Sequence, residues 1–409
     1  MKKSLFALMA AVSTLTLAAC SSNDAETAGS ETGDKTVVRF STWDNEESLT
    51  FQQELVDEFN ASQDEIEVKL EAYGNEYDTK ITAGMGAGDA PDVMYMWNYP
   101  LYHEGLEPLD SYIDAEGEDY KNNFYETTWN YNSIDDTVYG IPVGFTTHVL
   151  FYNKDLFDAA GVAYPTSEWT WADLHQASKE ISDPSKNVYG YVLPMQPDPY
   201  DFEMYLWSNG TAYTDDKGEL AGNLDSDGSV EVFTTFQEML KDETAIASED
   251  SGTDEMSAGT AAMLISGAWT IETLNDAGIN YGTVEIPNFG DKESVSVLSS
   301  SGLAMSADSE SKEAAWEFIK FWTNENANKA RIDYELPVLK NVVAEEGLDQ
   351  DEVKSVFYNM LERSQSYTPT SFKVDNWSTL SEDLNLVFEE IFNPTTQMDP
   401  KEALEAVAK

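Results

Sequence analysis

From Thr36 onward, short apolar segments with the two-residue alternation of strands are followed by segments whose apolar residues recur at helical spacing. The first helical pattern places Phe51, Leu55 and Phe59 on one face. Alternation of strands and helices packs helices against a sheet and favours parallel strands. The sequence therefore predicts an α/β fold. Its first strands are predicted at residues 37–40, 66–70 and 92–96, with a second helix starting near Tyr77.

A second series of the same patterns follows later in the chain. Strands are predicted at residues 189–193 and 261–265, and helices at residues 230–240 and 312–322. Two series of such units in a chain of 409 residues exceed what one hydrophobic core usually holds. We therefore expect two lobes.

The first 19 residues have the layout of a secretory signal peptide. Met1-Lys2-Lys3 is positively charged, and the apolar run at residues 5–18 is too short to span a bilayer stably. Cys20 is the only cysteine in the sequence and follows Leu17-Ala18-Ala19, which resembles the lipobox of bacterial lipoproteins. We therefore predict lipid attachment at Cys20. The alternative is a plain secretory signal with an unmodified cysteine.

Residues 20–35 are small, polar and acidic without apolar periodicity, so they are predicted to be a flexible tether. Two lipid chains on Cys20 are enough for stable attachment to the bilayer. We therefore expect the protein at the extracellular face of the cell membrane, and the long tether favours a Gram-positive surface over a periplasm. With its single cysteine lipidated, the exported body has no thiol for a disulfide, so its core must supply the stability.

The charge balance excludes some partners. The sequence has 23 lysines and arginines against 76 aspartates and glutamates, a net charge of −53. Nucleic acid binding requires the opposite sign. An anionic membrane surface also repels such a body, so the lipid must hold it there.

Catalytic, nucleotide-binding and metal-binding signatures are weak. The glycines of residues 84–89 precede a strand instead of following one, so we interpret this segment as a loop and not as a dinucleotide site. His103, His148 and His175 have no metal-ligand spacing, and no G-x-S-x-G motif occurs. We expect no enzyme activity, no cofactor and no metal. A glycoside hydrolase stays open as an alternative, because it needs only two carboxylates.

Aromatic residues recur in segments expected to be loops at strand ends, where open α/β sheets bind ligands. Aromatic faces stack on the C–H patches of sugars, and carboxylates such as Asp44, Glu47 and Asp198 accept hydrogen bonds from hydroxyl groups. The pattern therefore predicts a sugar site. Its aromatic candidates are Trp43, Trp97 with Tyr99 and Tyr102, Tyr200 with Trp207, Trp269 and Trp377.

Five motifs occur in an order that resembles the extracellular solute-binding proteins of carbohydrate ABC transporters, of the maltose and multiple-sugar type. The resemblance covers residues 36–409. The motifs are Ala90-Pro91-Asp92-Val93, Gly105–Asp110, Tyr139–Val143 followed by Leu150–Phe157, Gly259–Trp269, and Lys312–Phe318.

The resemblance implies two lobes, each a mixed sheet flanked by helices, with the chain crossing the hinge three times. It places the crossings near residues 148–150, 298–300 and 335–338. Residues 36–148 with 300–334 would form the N-terminal lobe, and residues 149–299 with 335–409 the C-terminal lobe. Ligand binds between the lobes and favours the closed form. The permease subunits of the importer then recognise that form, and we expect the protein to act as a monomer.

The resemblance also assigns ligand contacts. Thr146 takes the place of a glutamate, Asp198-Pro199-Tyr200 that of a Glu-Pro-Tyr segment, and Ala268-Trp269 that of a Pro-Trp pair. Asn45 stands where a basic residue is common. These departures argue against maltose and leave a neutral oligosaccharide as the expected ligand; a polyamine, a metal or a phosphorylated solute is the alternative cargo. The predicted ligand-binding residues are Trp43, Asp44, Glu47, Trp97, Asn98, Thr146, Asp198, Tyr200, Trp269 and Trp377.

Overall fold

A computed structural model describes residues 35–409, except for the side chains of Glu46 and Glu47. The predicted signal peptide, Cys20 and nearly all of the tether lie outside the described residues. The strands are β1 (Thr36–Thr42), β2 (Ile66–Ala72), β3 (Val93–Met96), β4 (Ser133–Ile134), β5 (Thr137–Val138), β6 (Gly140–Thr147), β7 (Val149–Asn153), β8 (Tyr191–Pro194), β9 (Ala245–Ser248), β10 (Met263–Ser266), β11 (Tyr281–Val284), β12 (Leu298–Met305) and β13 (Leu336–Pro337).

Helices cover the two main sheets and connect their strands. They are α1 (Glu46–Ser62), α2 (Tyr77–Ala87), α3 (Tyr99–Tyr102), α4 (Asp110–Glu116), α5 (Glu118–Asn122), α6 (Glu126–Tyr131), α7 (Lys154–Ala160), α8 (Trp171–Ile181), α9 (Pro199–Ser208), α10 (Asp227–Lys241), α11 (Thr253–Ser257), α12 (Thr270–Asp276), α13 (Lys312–Trp322), α14 (Glu325–Ala330), α15 (Lys340–Glu346), α16 (Ser355–Arg363), α17 (Trp377–Phe392) and α18 (Pro400–Val407).

The first sheet has six strands in the order β13-β6-β12-β3-β1-β2. β1 pairs in parallel with both β2 and β3, as the strand–helix alternation predicts. β12 instead runs antiparallel between β3 and β6. The expectation of parallel strands is therefore wrong for this half of the sheet, because β12 returns from a distant part of the chain and enters in the opposite direction.

The second sheet has five strands in the order β11-β7-β10-β8-β9. β8 pairs in parallel with β9 and β10, whereas β7 is antiparallel to β10 and β11. Both sheets are mixed, as the family resemblance implies, and the two-lobed α/β fold class is confirmed.

The chain passes from the first sheet to the second at one residue. β6 ends at Thr147, β7 begins at Val149, and the buried His148 lies between them. The chain returns to the first sheet between β11 and β12 and leaves it again after β13. Since β13 pairs with β6, residues 336–337 belong to the first sheet. The predicted lobe boundaries stay a prediction.

Aromatic side chains fill both cores. In the first lobe, Phe40 on β1 lies with its ring centroid 5.1 Å from that of Phe318 and 4.9 Å from that of Trp322. Both partners belong to α13, whose bounds match the predicted helix. In the second lobe, Phe202 of α9 lies 4.7 Å from Phe233 of α10. Within residues 35–409, no helix is long and apolar enough to span a membrane.

The glycine-rich segment at residues 84–89 differs from the prediction. Gly84 and Gly86 lie in the last turns of α2, so their interpretation as a loop is wrong. Gly88 ends the helix in the left-handed region, with φ of 67°, where glycine is favoured. Its amide bonds back to the carbonyls of Gly84 and Met85. The glycines therefore end a helix and form no phosphate-binding turn.

Candidate ligand-binding cleft

A cavity of about 1490 Å³ lies between segments of the two lobes. Its first wall consists of side chains that follow β1 and β3 or belong to β6 and β12, and its second wall of segments around β10, α9 and α17. Cavities that bind small molecules are typically about 300–1,000 Å³. This one therefore has room for a ligand larger than a monosaccharide. The predicted residues that line it are Trp43, Asp44, Trp97, Asn98, Thr146, Asp198, Tyr200, Trp269 and Trp377.

Two of the predicted aromatics on the first wall differ in exposure. Trp43 follows β1 and is half-buried, with its ring 4.8 Å from Tyr95 in an edge-to-face contact. Trp97 follows β3 and is 44% exposed. Asn98 caps α3 by accepting a hydrogen bond from the Leu101 amide at 3.3 Å. Trp97 therefore offers a free ring face to the cavity, while Trp43 is held in place by its neighbours.

On the second wall, Trp269 follows β10 and is 52% exposed. The ring of His148 lies edge-to-face against it, with centroids 5.5 Å apart. A side chain at Gly267 would overlap the indole, so glycine is required there for this orientation of the ring. The contact with His148 and the space left at Gly267 therefore set the direction of the exposed indole.

The start of α9 supplies two more predicted residues. Asp198 caps the helix by accepting the amide of Tyr200 at 2.8 Å. The Tyr200 hydroxyl donates to the carbonyl of Leu298 at 2.5 Å. Since Leu298 begins β12 of the first sheet, this bond links the two lobes.

Thr146 of β6 forms a second link between the lobes. Its hydroxyl accepts a hydrogen bond from the amide of Ala268 at 2.8 Å and donates to the carbonyl of Thr147 at 2.9 Å. The threonine that replaces a family glutamate thus holds the segment that carries Trp269.

Trp377 and Glu47 complete the predicted set. Trp377 begins α17, is half-buried, and has its ring 6.4 Å from Tyr213, so it both packs and lines the cavity. Glu47 lies in the first turn of α1, and its side chain is outside the described part of the structure.

Three aromatics of the predicted set lie in the core instead of in loops. Tyr99 and Tyr102 are buried in α3, and Trp207 is buried in α9 with its ring stacked 5.3 Å from Tyr367. The expectation that they lie in loops is wrong, because each segment continues as a helix and turns these side chains inward.

Glu335, a carboxylate in the cavity wall with two hydrogen-bond donors and a nearby arginine, was not predicted. Glu335 accepts hydrogen bonds from the Tyr95 hydroxyl at 2.6 Å and the Ser301 hydroxyl at 2.8 Å. Arg331 lies behind it, with Nε 3.6 Å from Oε2. Burial lowers the pKa of Arg331 from its ordinary value. No sequence motif surrounds Glu335. Its side chain packs against Gly144, and a glycine within a strand is the sequence signal that another part of the protein comes close to the backbone there.

Asp44 lies on the same wall. It accepts hydrogen bonds from the side chains of Gln52 and Thr42, the latter at 3.2 Å. Burial and the nearby charge of Glu335 raise the pKa of Asp44 to about 6. The first wall therefore loses the negative charge of Asp44 when the pH falls below about 6.

The charged side chains around the cavity are mostly acidic. The basic ones are Arg331 and Lys373, and the acidic ones are Asp44, Asp135, Asp198, Asp201, Glu335 and Asp375. Among residues 35–409, no group of three or more His, Asp or Glu side chains is arranged to hold a metal ion. Exposed indoles beside hydrogen-bond acceptors can hold a ligand that has both C–H faces and hydroxyl groups.

Two lobes joined at a hinge, with a polar and aromatic cleft between them, define a ligand-binding class of proteins. Residues 54–355 match the family model described as bacterial extracellular solute-binding protein. Because the match covers most of the chain, the protein belongs to this family, and the predicted resemblance is confirmed.

Individual relatives agree with this assignment. The galactooligosaccharide-binding protein of Bacillus subtilis is 26% identical over 426 residues, covering 100% of this chain and 96% of the relative. An ABC substrate-binding protein of Listeria monocytogenes, solved in complex with cycloalternan, is 28% identical with a TM-score of 0.79 and covers 92% of this chain and 97% of its own. A receptor of Streptomyces glaucescens, solved in complex with acarbose, has a TM-score of 0.77 and is 23% identical. The match covers 91% of this chain and 97% of the receptor, and at this identity it supports the fold alone.

Proposed function

We propose that this protein captures a neutral oligosaccharide in the cleft between its lobes and delivers it to an ABC importer. The observation that carries the proposal is the pair of exposed indoles, Trp97 and Trp269, which line one cavity from opposite lobes. Two indoles that face the same cavity provide apolar surface on both sides of a bound ligand, an arrangement typical of small-molecule sites. The relatives named for galactooligosaccharide and cycloalternan binding support this class of ligand.

Closure of the lobes around the ligand is part of the proposal. The hydrogen bonds from Tyr200 to Leu298 and from the Ala268 amide to Thr146 join the two lobes beside the cavity. A ligand that touches both Trp97 and Trp269 adds contacts available only in the closed form. It therefore shifts the population toward that form.

The finer parts of the function rest on the sequence. We infer that Cys20 carries a lipid that holds the protein at the outer face of the cell membrane, on a Gram-positive surface, and that the acidic body stays within reach of its permease through the tether. We also infer that the protein acts as a monomer and leaves its ligand chemically unchanged. Its relatives named above are binding proteins by name.

Calorimetric titration of the full chain with gluco-, xylo-, galacto- and manno-oligosaccharides tests the proposal. Saturable binding of at least one series is expected, with intact ligand recovered afterwards. Absence of binding throughout the panel would contradict the proposal, and release of new reducing ends would indicate a hydrolase instead.

A further inference from the structure

Side chains from three separate parts of the first lobe converge on the carboxylate of Glu335 at the cavity wall. We propose that Glu335 is a specificity-determining ligand contact, which accepts a hydrogen bond from a sugar hydroxyl and disfavours sugars that carry a carboxylate. The inference rests on the proposed function and deepens it by naming the charge class of the ligand.

Both oxygens of the carboxylate are held from within the protein. The Tyr95 hydroxyl of β3 donates to Oε2 at 2.6 Å, and the Ser301 hydroxyl of β12 donates to Oε1 at 2.8 Å. A carboxylate has about four acceptor positions, so these two donors leave free positions on the group. The Glu335 side chain is 25% exposed, and it lines the cavity. A purely structural carboxylate would not need to reach that surface.

The neighbouring strand leaves space for this side chain. A Cβ atom at Gly144 of β6 would lie 2.8 Å from Cδ of Glu335 and 2.9 Å from its Cβ. A Cβ atom does not tolerate contacts this short, so a larger residue at this position requires Glu335 or the strand to shift. Glycine within the strand therefore fixes where the carboxylate lies.

Arg331 contributes a buried positive charge behind Glu335. It is 3% exposed, and its Nη1 donates to the carbonyl of Trp322 at 2.8 Å. Nε lies 3.6 Å from Oε2 of Glu335, too far for a good hydrogen bond, and both Nε and Nη2 are otherwise unpartnered among the described residues. Opposite charges this close attract each other strongly where water is excluded, so we assign Arg331 as a positioning residue for Glu335.

Asp44 adds a second acceptor on the same wall, close enough for the charge of Glu335 to act on it. Two ionised carboxylates accept hydrogen bonds and cannot donate them. A ligand with hydroxyl groups satisfies both, whereas a carboxylate on the ligand would meet like charge. The wall therefore selects a hydrogen-bond donor without negative charge.

The test compares wild-type protein with Glu335→Gln against two probes: a neutral oligosaccharide that the wild type binds, and its counterpart with a terminal CH₂OH oxidised to a carboxylate. The wild type should bind the acidic probe at least tenfold more weakly than the neutral one. Glu335→Gln should bind the neutral probe about tenfold more weakly, since a charged acceptor is replaced by a neutral amide, and should discriminate less between the probes. Glu67→Gln, on the exposed side of β2, is the matched control and should bind as the wild type does.

Gly144→Ala provides a second route that leaves the charge of Glu335 intact. It should weaken binding of the neutral probe in the wild type, but change little further in a Glu335→Gly background, which lacks both the Cβ and the carboxylate that the new methyl group would meet. Equal binding by wild type and Glu335→Gln with unchanged discrimination would contradict this inference while the proposed function stands. Failure of the wild type to bind any sugar would overturn both.

Discussion

The two walls of the cleft are built differently. On the first wall, the polar groups of Asp44 and Glu335 are held by hydrogen bonds from strands and from α1. On the second wall, the exposed ring of Trp269 lies on a segment after β10, and its contacts are fewer. The difference indicates unequal contributions: the first wall carries the hydrogen-bonded carboxylates beside the exposed Trp97, and Trp269 is the exposed indole of the second wall, whose apolar surface is buried when the cleft closes around a ligand.

The strongest test of this difference is Trp269→Ala. If ligand binding covers roughly 100 Å² of the indole, its loss costs about 2–3 kcal/mol of binding free energy. Because the residue is half-exposed, the free energy of unfolding should change little. Calorimetry and thermal melting measure the two effects. Tyr164→Ala, an exposed aromatic outside the cavity, is the control; an equal loss of affinity in both variants would contradict a specific role for Trp269.

The first wall should respond to pH through Asp44. Asp44 has a pKa of about 6, so lowering the pH from 7 to 5 protonates it and removes a charged acceptor. We expect the affinity for a neutral sugar to fall by about 1–1.5 kcal/mol over that range. Titrations at pH 7, 6 and 5 measure it, and Asp44→Asn should remove most of the dependence. A pH dependence unchanged in that variant would contradict the assignment.

Ionisation of Asp44 lowers the stability of the folded protein, whereas it strengthens ligand binding. The pKa of Asp44 in the folded protein lies above its ordinary value of 3.8, so folding favours the protonated form. The stabilising contribution is complete below pH 4 and is lost as the pH rises through 6. The ligand-free protein should therefore melt at a higher temperature at pH 5 than at pH 7, while it binds sugar less well. Asp44→Asn should reduce this difference in melting temperature.

A smaller effect is expected at Gly267 on the second wall. Gly267→Ala would force the Trp269 ring to turn away from its present orientation. Since the ring is moved and not removed, the loss of binding free energy should be about 1 kcal/mol, less than for Trp269→Ala. The two substitutions act through one side chain, so their double variant should bind no more weakly than Trp269→Ala. Additive losses, measured by calorimetry, would show that Gly267 acts by another route.

The smallest change in affinity is expected from a buried acid behind the second wall. Glu203 of α9 accepts hydrogen bonds from the amide of Thr370, at 2.8 Å, and from its hydroxyl, and residues 371–375 line the cavity. Burial raises the pKa of Glu203 to about 7. Its stabilising contribution is therefore lost as the pH rises through 7.

Glu203→Gln keeps an acceptor for Thr370 but cannot ionise. The affinity for sugar should change by less than about 0.5 kcal/mol, while the fall in melting temperature between pH 6 and 8 should become shallower. Melting curves at both pH values provide the measurement. An unchanged slope would show that another group titrates in this range.

Most of the secondary structure could be predicted because it follows from local apolar spacing. α13 has the predicted bounds, and β1, β2 and β3 lie at the predicted positions. The direction of β12 could not be predicted, because nothing local in its sequence states which strands it will join. The same limitation led to the prediction of a loop at Trp207, since periodicity alone did not separate a buried helix from a loop.

Some residues of the cleft could be predicted from short sequence segments, and others could not. The sequence by itself determined the class of fold, the family, and the candidate aromatics Trp97 and Trp269, since these depend on residue type and on motifs within short segments. Only the tertiary structure decided that Glu335 lies at the cavity wall. Its partner Tyr95 is 240 positions away in the chain, and the two meet because β3, β12 and β13 share one sheet. A carboxylate held by residues so distant leaves no local pattern, because it is the sheet that brings its partners together.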